Sequence, residues 1–288
     1  MLPAMVAKPR VAIIGPGRLG SSLAIALSRA GYEVGELVCR GVSPSGKAAR
    51  RLARKLRARL SRPEAAQLDA ELIWFCVPDR EIRPAARTLA RRGDWQGKAV
   101  FHASGALTSA ELGVLRRKGA RVASVHPLMS FVRGVVPSLK GVPFALEGDA
   151  GALTVAARIV RSLGGTAFRV PAKNKVAYHA WGAFASPLAV ALLVTAEQVA
   201  GAAGLGPREA RRKMLPILKQ TLENYRRWGA AGAFSGPLVR GDVDILVKHL
   251  RILRPIPEAK DVYRALSRAA LRYIPVGQRR KLTKALRD

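Results

Sequence analysis

The residues that could carry chemistry are few, and three of the four histidines stand where a predicted strand ends or a long helix begins. His102 and His126 each follow a short apolar run, and His179 lies early in an apolar helical stretch. A histidine with a pKa near neutrality can pass the proton that accompanies a hydride transfer. These three side chains are candidate catalytic residues, with a structural histidine as the alternative for each. His249, inside a predicted helix, has no predicted role.

Lys175 adds a second proton-carrying group close to these histidines. It precedes His179 by four residues, so a helix would carry both side chains on one face. Lys175 is therefore a candidate catalytic residue. Lys173 is the alternative lysine but points elsewhere, and a solvated lysine at a helix start is the competing interpretation.

Ser104 and Arg240 are candidates for holding a substrate. Ser104 lies in an Ala-Ser-Gly turn after a predicted strand and could hydrogen-bond a carbonyl or carboxylate, unless this is a plain turn in which Ser109 caps the next helix. Arg240 could clamp a carboxylate in a bidentate arrangement, or could simply pair with Asp242 or Asp244.

No metal site is predicted. His102, His126 and the acidic residues lack tight ligand spacing, and neither Cys39 nor Cys76 has a partner nearby in the sequence. Two isolated cysteines also give no disulfide framework.

The strongest motif is a glycine-rich turn between a predicted strand and a predicted helix. After the apolar run 11–14, residues 15–20 read Gly-Pro-Gly-Arg-Leu-Gly. In such a turn the first glycine makes the bend, the second lets the backbone approach a pyrophosphate, and the third lets the helix pack on the strand. The predicted cofactor-binding residues here and after the strand 71–77 are Gly15, Gly17, Arg18, Leu19, Gly20, Val77 and Pro78.

The end of the second strand indicates which dinucleotide binds. An NAD enzyme places an acidic residue there, whereas this chain has Arg40, and residues 40–62 hold nine Lys or Arg and no acid. Arg40, with Ser43 and Lys47, favours a 2′-phosphate, so NADP(H) is the predicted cofactor. The following arginines and lysines are interpreted as the solvated face of a helix whose buried side is Leu52, Leu56 and Leu60.

These residues are positioned by an alternation of strands and helices that continues to residue 170. The predicted strands are 11–14, 32–39, 71–77, 98–102, 120–125, 142–146 and 166–170. Beyond Pro171 the pattern is helical, with one long helix over 172–203, kinked at Pro187, then helices over 208–228, 242–253 and 258–273 and a basic tail over 279–287. We therefore predict an α/β fold, with a Rossmann dinucleotide-binding domain over 1–170 and an all-helical domain over 171–288.

Composition narrows the class of protein. The chain has 288 residues and a formal charge of +31, but 49% of its residues are hydrophobic, which excludes a disordered polycation.

The most apolar stretch, 177–195, contains His179 and Pro187 and is interpreted as a buried helix, with no membrane span. The N-terminus lacks the pattern of a signal peptide, so a cytoplasmic protein is predicted. Specific nucleic-acid binding is not favoured, because only Tyr273 accompanies the basic residues of 264–287.

In several short segments the chain resembles Rossmann-like proteins with a DUF2520 C-terminal domain. The segments that carry the resemblance are GPGRLG (15–20), VPD (77–79), FHASGAL (101–107), VHPL (125–128), YHA (178–180) and SGPLVRGD (235–242). Such proteins are similar to pyrroline-5-carboxylate reductase and, more distantly, to hydroxyacid dehydrogenases of the 6-phosphogluconate-dehydrogenase-like architecture. One departure is Ser186-Pro187, where the family has Ser-Asn.

The resemblance implies an NADP-linked oxidoreductase whose substrate binds between the domains and whose helical domain forms a homodimer. Hydroxyacid dehydrogenases carry a proton-exchanging lysine and a substrate-orienting asparagine with the spacing of Lys175 and His179, so here a histidine replaces the asparagine. His126-Pro127 resembles the His-Pro turn of prephenate dehydrogenases.

Together these observations predict an NADP(H)-dependent oxidoreductase that acts on a small carbonyl, imine or hydroxyacid substrate. The alternative is a non-catalytic NADP-binding sensor or scaffold, which would keep the glycine turn and tolerate loss of Lys175 and the histidines.

Overall fold

One mostly parallel sheet organises the N-terminal half of the chain in this computed structural model, which describes residues 8–41, 44–132 and 134–287. Its strands are β1 (Val11–Ile14), β2 (Val34–Val38), β3 (Arg59–Ser61), β4 (Leu72–Phe75), β5 (Ala99–His102), β6 (Arg121–Pro127), β7 (Pro143–Gly148) and β8 (Thr166–Arg169). Their spatial order is β3-β2-β1-β4-β5-β6-β7-β8. Neighbours from β3 to β6 are parallel, β7 is antiparallel to β6, and β8 is parallel to β7.

Helices cover both faces of this sheet. They are α1 (Arg18–Arg29), α2 (Pro44–Leu56), α3 (Asp79–Leu89), α4 (Gly113–Arg116), α5 (Ala150–Ser162) and α6 (Lys175–Ala185). Alternate residues of a strand point to opposite faces, so Ile13 packs with α1, α2 and α5 while Ile14 packs with α3 and α4. The crossover between β1 and β4 places the loops that follow them beside each other, where such sheets bind ligands. The predicted Rossmann fold is confirmed.

The sequence patterns do not indicate strand β3, and its presence changes the role of Leu60. The sequence pattern placed Leu60 on the buried side of a helix, but α2 ends at Leu56 and Arg57 has a positive φ of 54°. That left-handed residue ends the helix and turns the chain, so that Leu60 pairs with Leu37 of β2 at the edge of the sheet. Leu60 keeps the four-residue spacing of Leu52 and Leu56 although it lies beyond the end of the helix.

The C-terminal half is helical, as predicted. Its helices are α7 (Pro187–Ala202), α8 (Pro207–Ala233), α9 (Pro237–Arg240), α10 (Val243–Ile252), α11 (Pro257–Tyr273) and α12 (Arg279–Ala285). The chain divides into compact units over 1–183 and 184–288, so most of α6 belongs to the first unit although the predicted domain boundary precedes it. Gly229, with φ of 65°, kinks α8, and the predicted basic tail forms α12.

The apolar segment 172–203 is two helices, and the prediction of a buried helix there is wrong. Ser186 leaves helical geometry (φ −131°, ψ −81°), since a residue before proline avoids the α region, and Pro187 then starts α7. No residue of α7 is buried. By length and composition alone, the stretch Ala172–Ala202 could span a membrane, with a mean hydropathy of 1.5 in its most apolar window.

Candidate active site

The glycine turn after β1 forms a cradle with one open position. Gly15 has φ of 87°, and a Cβ on Gly20 would lie 2.3 Å from the Gly15 carbonyl oxygen, so helix α1 packs directly on the turn. A Cβ on Gly17, by contrast, would meet no atom within 4 Å. Gly17 is also the N-cap of α1 and provides no side chain to its amides. The turn therefore offers open space in front of a helix N-terminus, which suits a pyrophosphate.

A cavity of about 620 Å³ opens beside this turn, at the carboxyl ends of β1, β2 and β4. Of the predicted cofactor-binding residues, Gly15, Gly17, Val77, Pro78 and Arg40 line it. Gly20, Arg18 and Leu19 do not line it and form the first turn of α1.

Arg40 lies at the rim of the cavity with its side chain 77% exposed and 3.3 Å from the Glu81 carboxylate. The Arg62 guanidinium lies next to Gly41, the residue that follows Arg40, and no sequence pattern singles Arg62 out. Glu64 and Glu81 also line the cavity and were likewise missed. Lys47 is exposed on α2, and Ser43 lies outside the described residues.

The Ala-Ser-Gly turn after β5 is held by its own hydrogen bonds. The Ser104 hydroxyl donates to Asp79 Oδ2 (2.8 Å) and accepts the Leu107 amide (2.9 Å), with only 4% of the residue exposed. Ser109 does not cap the next helix, because its hydroxyl donates to Glu147. The geometry therefore favours the structural alternative for Ser104, which ties this turn to α3.

His102 is bound on both ring nitrogens by the same turn. Its Nε2 lies 2.9 Å from the Thr108 carbonyl oxygen, and its Nδ1 accepts the Ser104 amide at 3.2 Å. The residue is fully buried, and burial lowers the pKa of His102 to about 4. A neutral imidazole with both nitrogens engaged positions the turn, so His102 is ill placed to exchange a proton with a substrate.

Lys175 is a buried lysine, so the solvated alternative is wrong. Only 1% of the residue is exposed, and its Nζ donates to the Ser104 carbonyl oxygen (3.0 Å) and to Ser124 Oγ (2.7 Å). Burial lowers the pKa of Lys175 to about 8, while the more distant carboxylates of Glu147 and Asp79 oppose the shift. Lys173, the other candidate, is exposed.

His126 and His179 flank the Cα of Gly105. A Cβ built on Gly105 would lie 2.7 Å from His179 Cδ2 and 3.0 Å from His126 Nε2, so only glycine fits between the rings. The Nδ1 of His126 lies 2.7 Å from the Tyr178 hydroxyl. Burial, with Lys175 nearby, lowers the pKa of His126 to about 4, and burial raises the pKa of Tyr178 to about 12. Sequence motifs included Tyr178 without giving it a role.

Helix α3 connects the cofactor-sized cavity to the Ser104-Gly105 turn. Pro78 lines the cavity, and the next residue, Asp79, receives the hydrogen bond from Ser104, whose carbonyl oxygen in turn receives Lys175 Nζ. The i, i+4 spacing of Lys175 and His179 does bring both side chains to the Ser104-Gly105 turn. A buried lysine with a lowered pKa therefore lies two hydrogen bonds from the cofactor-sized cavity.

One candidate residue lies outside this region. Arg240 belongs to the second unit, where its Nη2 lies 2.7 Å from Asp242 Oδ2, so the ion-pair alternative describes it. Asp242 precedes α10 without capping it through its side chain, since the carboxylate is held by Arg240. Within the described residues no three His, Cys, Asp or Glu are grouped to hold a metal ion.

Two family models match the chain, a Rossmann-like domain over residues 4–127 and DUF2520, a domain of unknown function, over residues 142–270. The chain is a Rossmann-like protein with a DUF2520 domain. The resemblance inferred from its motifs is thereby confirmed. No curated protein matches the sequence of this DUF2520 protein.

Solved structures share the fold over nearly the whole chain. Protein BF3122 from Bacteroides fragilis is 20% identical, with a TM-score of 0.77, and the match covers 91% of this chain and 98% of that one. Protein TM1727 from Thermotoga maritima is 23% identical, with a TM-score of 0.70 and coverage of 96% and 98%. An imine reductase from Myxococcus stipitatus in complex with NADP⁺ is 18% identical, with a TM-score of 0.64 and coverage of 96% and 95%. At these identities the DUF2520 protein shares their fold.

Proposed function

We propose that this protein is an NADP(H)-dependent oxidoreductase that acts on a small carbonyl, imine or hydroxyacid substrate. The observation that carries the proposal is the buried Lys175, with its pKa lowered to about 8. It donates to the Ser104 turn, and Ser104 donates to Asp79, the residue after Pro78 of the cavity wall. A proton-exchanging group beside a dinucleotide site is what hydride transfer to or from a carbonyl or imine requires. The shared fold with an NADP⁺-bound imine reductase supports the same class.

The cofactor is held by the residues that line the cavity. The open backbone at Gly17, which lines the cavity at the N-terminus of α1, receives the pyrophosphate, and Val77 and Pro78 contribute to the wall of the cavity. Arg40 and the neighbouring Arg62 favour a 2′-phosphate through charge-assisted hydrogen bonds. To bind the phosphate, Arg40 gives up its exposed contact with Glu81. When bound, the reduced nicotinamide supplies the hydride.

Lys175 is the proton donor in the reductive direction. An ammonium group has three N–H donors, and Lys175 directs two of them to Ser104 and Ser124 among the described residues. We assign the third to a substrate oxygen or nitrogen. Because its pKa is near 8, the group holds a proton at neutral pH and releases it more readily than an exposed lysine would.

His126 is the hydrogen-bond donor that orients the substrate, and Tyr178 is its positioning residue. Both groups are neutral near pH 7, because the pKa of His126 is about 4 and that of Tyr178 about 12. A phenol is the stronger donor and an imidazole nitrogen the stronger acceptor, so Tyr178 donates to Nδ1. The proton of His126 then sits on Nε2, the nitrogen beside Gly105.

Replacing Tyr178 with phenylalanine is expected to leave His126 as a mixture of tautomers and to lower kcat about tenfold, the equivalent of one hydrogen bond. Nitrogen-15 NMR of histidine-labelled protein reads the tautomer directly. The chain supplies a matched control, because Tyr263 lies 2.9 Å from His249 Nδ1 in the second unit with nearly the same ring geometry. Tyr263→Phe should change only the His249 signals. An unchanged His126 tautomer in Tyr178→Phe would contradict the assigned role.

Cofactor preference tests the rim residues. We expect NADPH to bind more tightly than NADH, and Arg40→Ala to weaken NADPH binding about 10- to 100-fold with little effect on NADH, since one charge-assisted contact to the 2′-phosphate is lost. Fluorescence titration with both dinucleotides measures the four dissociation constants. Arg51→Ala, an exposed arginine on α2 outside the cavity, is the matched control. Tighter binding of NADH by the native protein would overturn the NADP assignment.

The proposed function itself is tested by turnover. Purified protein with NADPH and a panel of ketoacids and cyclic imines should oxidise the cofactor, followed by the loss of reduced-nicotinamide absorbance. Tight NADPH binding with no turnover across the panel, in either direction, would favour the non-catalytic sensor instead.

We propose further that a second copy of the chain covers the exposed apolar surface of α7. The exposed apolar side chains lie on both sides of α7, with Leu188 and Leu192 on one side and Val190 and Val194 on the other. The one charged residue of α7, Glu197, is paired with Arg211 of α8 at 2.7 Å, so α7 itself presents no unpaired charge. A neutral apolar patch of this kind is typical of a subunit interface.

A further inference from the structure

A second cavity, about 400 Å³ in volume, lies in the helical unit and is lined mainly by basic side chains. These are Arg251, Arg254, Lys260, Arg264, Lys281 and Lys284. Its apolar floor includes Val247 and Leu250. The volume falls in the range of small-molecule sites, roughly 300–1,000 Å³.

Three helices bring these charges to one place. Helices α11 and α12 each supply a pair at i, i+4 or i, i+3 spacing, which puts both members on one helix face, whereas Arg251 lies at the end of α10 and Arg254 in the turn that follows it. The helices are held together by a small apolar core of Leu246, Leu250, Leu271, Leu282 and Leu286, of which Leu250 also reaches the cavity floor. Apolar packing, rather than attraction between charges, therefore fixes the convergence of six positive groups.

The six side chains have no counter-charge among the described residues. None of them forms an ion pair there, and no acidic residue lines the cavity. Elsewhere in the same unit arginines do find carboxylates, as Arg226 does with Glu223. In addition, the Nε of Arg264 is buried with no hydrogen-bond partner. Clustered like charge and an unpaired buried donor both cost stability, and an anion would relieve both.

We propose that this cavity binds a small polyphosphate-bearing molecule, distinct from the dinucleotide of the first unit. Arginine and lysine together are the residues that recognise phosphate oxygens, and six of them match a ligand with two or more phosphate groups. The floor formed by Val247 and Leu250 gives an organic portion of the ligand an apolar surface. A concave site with charges pointing inward fits a small ligand better than a nucleic-acid strand, which needs a groove with stacking aromatic residues.

Calorimetric titration of the full chain, saturated with NADPH to fill the first cavity, tests the proposal. The probes are inorganic tripolyphosphate and ATP, without divalent cations and at physiological salt, where scattered surface charges are screened. We expect one saturable site per chain. Tighter binding of ATP would assign the floor to an organic portion, and equal binding would assign the site to a phosphate chain; both results support a polyphosphate site.

Matched double variants separate the cavity from general surface charge. Arg264→Gln/Lys281→Gln should weaken tripolyphosphate binding about 10- to 100-fold. Lys248→Gln/Arg280→Gln removes the same charge from exposed positions on α10 and α12 that do not line the cavity, and should have little effect. Equal weakening by both pairs, no saturable binding, or preferential binding of a duplex DNA oligonucleotide would overturn the proposal. NADPH turnover should be unchanged in both pairs, so a failure here is distinct from a failure of the proposed function.

Discussion

Lys175→Met is expected to lower kcat for NADPH-dependent reduction by about 10²- to 10⁴-fold, the usual contribution of a positioned proton donor. The dissociation constant for NADPH should be unchanged, because Lys175 does not line the cofactor-sized cavity. Methionine matches the length of the lysine stem and removes a buried charge, so we expect the variant to fold. Steady-state kinetics and a cofactor titration measure the two effects separately.

Lys173→Met is the matched control for this variant. It is the same substitution two residues earlier, at an exposed position just before α6. It should leave both kcat and cofactor affinity near the native values. Equal losses in the two variants, or full activity in Lys175→Met, would remove Lys175 from the proposed mechanism.

The lowered pKa of Lys175 also gives the reaction a characteristic pH dependence. A proton donor with a pKa of about 8 is protonated below that pH, so the reductive kcat should fall as the pH rises through about 8. In the unfolded chain the group titrates near 10.5, so between about 8 and 10.5 the unfolded state binds more protons. The free energy of unfolding should therefore rise with pH across that window, and this contribution should be absent in Lys175→Met.

Gly17→Ala is expected to weaken NADPH binding about 10- to 100-fold without lowering the stability of the free protein. The added methyl group meets no protein atom within 4 Å, and the φ of −78° suits alanine, so folding is unaffected or slightly favoured. The same methyl group would intrude where the pyrophosphate approaches the backbone, and overpacking of this kind costs roughly 1–3 kcal/mol. Cofactor titration and thermal unfolding of the free protein measure the two quantities.

Gly206→Ala provides a control of the same kind. Gly206 is likewise the N-cap of a long helix, α8, and a Cβ there also meets nothing within 4 Å. It lies outside the cavity, so NADPH affinity should not change. If Gly17→Ala bound NADPH as tightly as Gly206→Ala does, the cofactor would have to lie elsewhere.

The parts of the site that could be predicted are those whose spacing is dictated by one local element. The glycine turn is recognisable because a tight bend, an open backbone position and a close helix contact require glycine at three fixed positions. Lys175 and His179 were paired correctly because four residues make one helical turn. The strands of the sheet were found from their apolar runs, except β3, whose three residues are too few to show a period.

The remaining features depend on contacts between distant segments. Tyr178 meets His126 across 52 residues, and no pattern in either segment indicates the other. The sequence predicts that Ser104 faces a substrate, but the Ser104 hydroxyl donates to Asp79 of α3 instead. The burial of Lys175 is also invisible in the sequence, where lysines are usually exposed. Such pairings arise only when the sheet brings its loops to one edge.

Helix α7 has no core of its own within the chain, since none of its residues is buried. In the proposed homodimer, contacts with the partner subunit stabilise α7, so the folding of this helix depends on dimer formation. Mass action then links folding to association, because dilution favours single chains in which α7 is exposed to solvent. The melting temperature of this protein would accordingly be a function of its concentration, and thermal stabilities of variants would be comparable only at equal chain concentration.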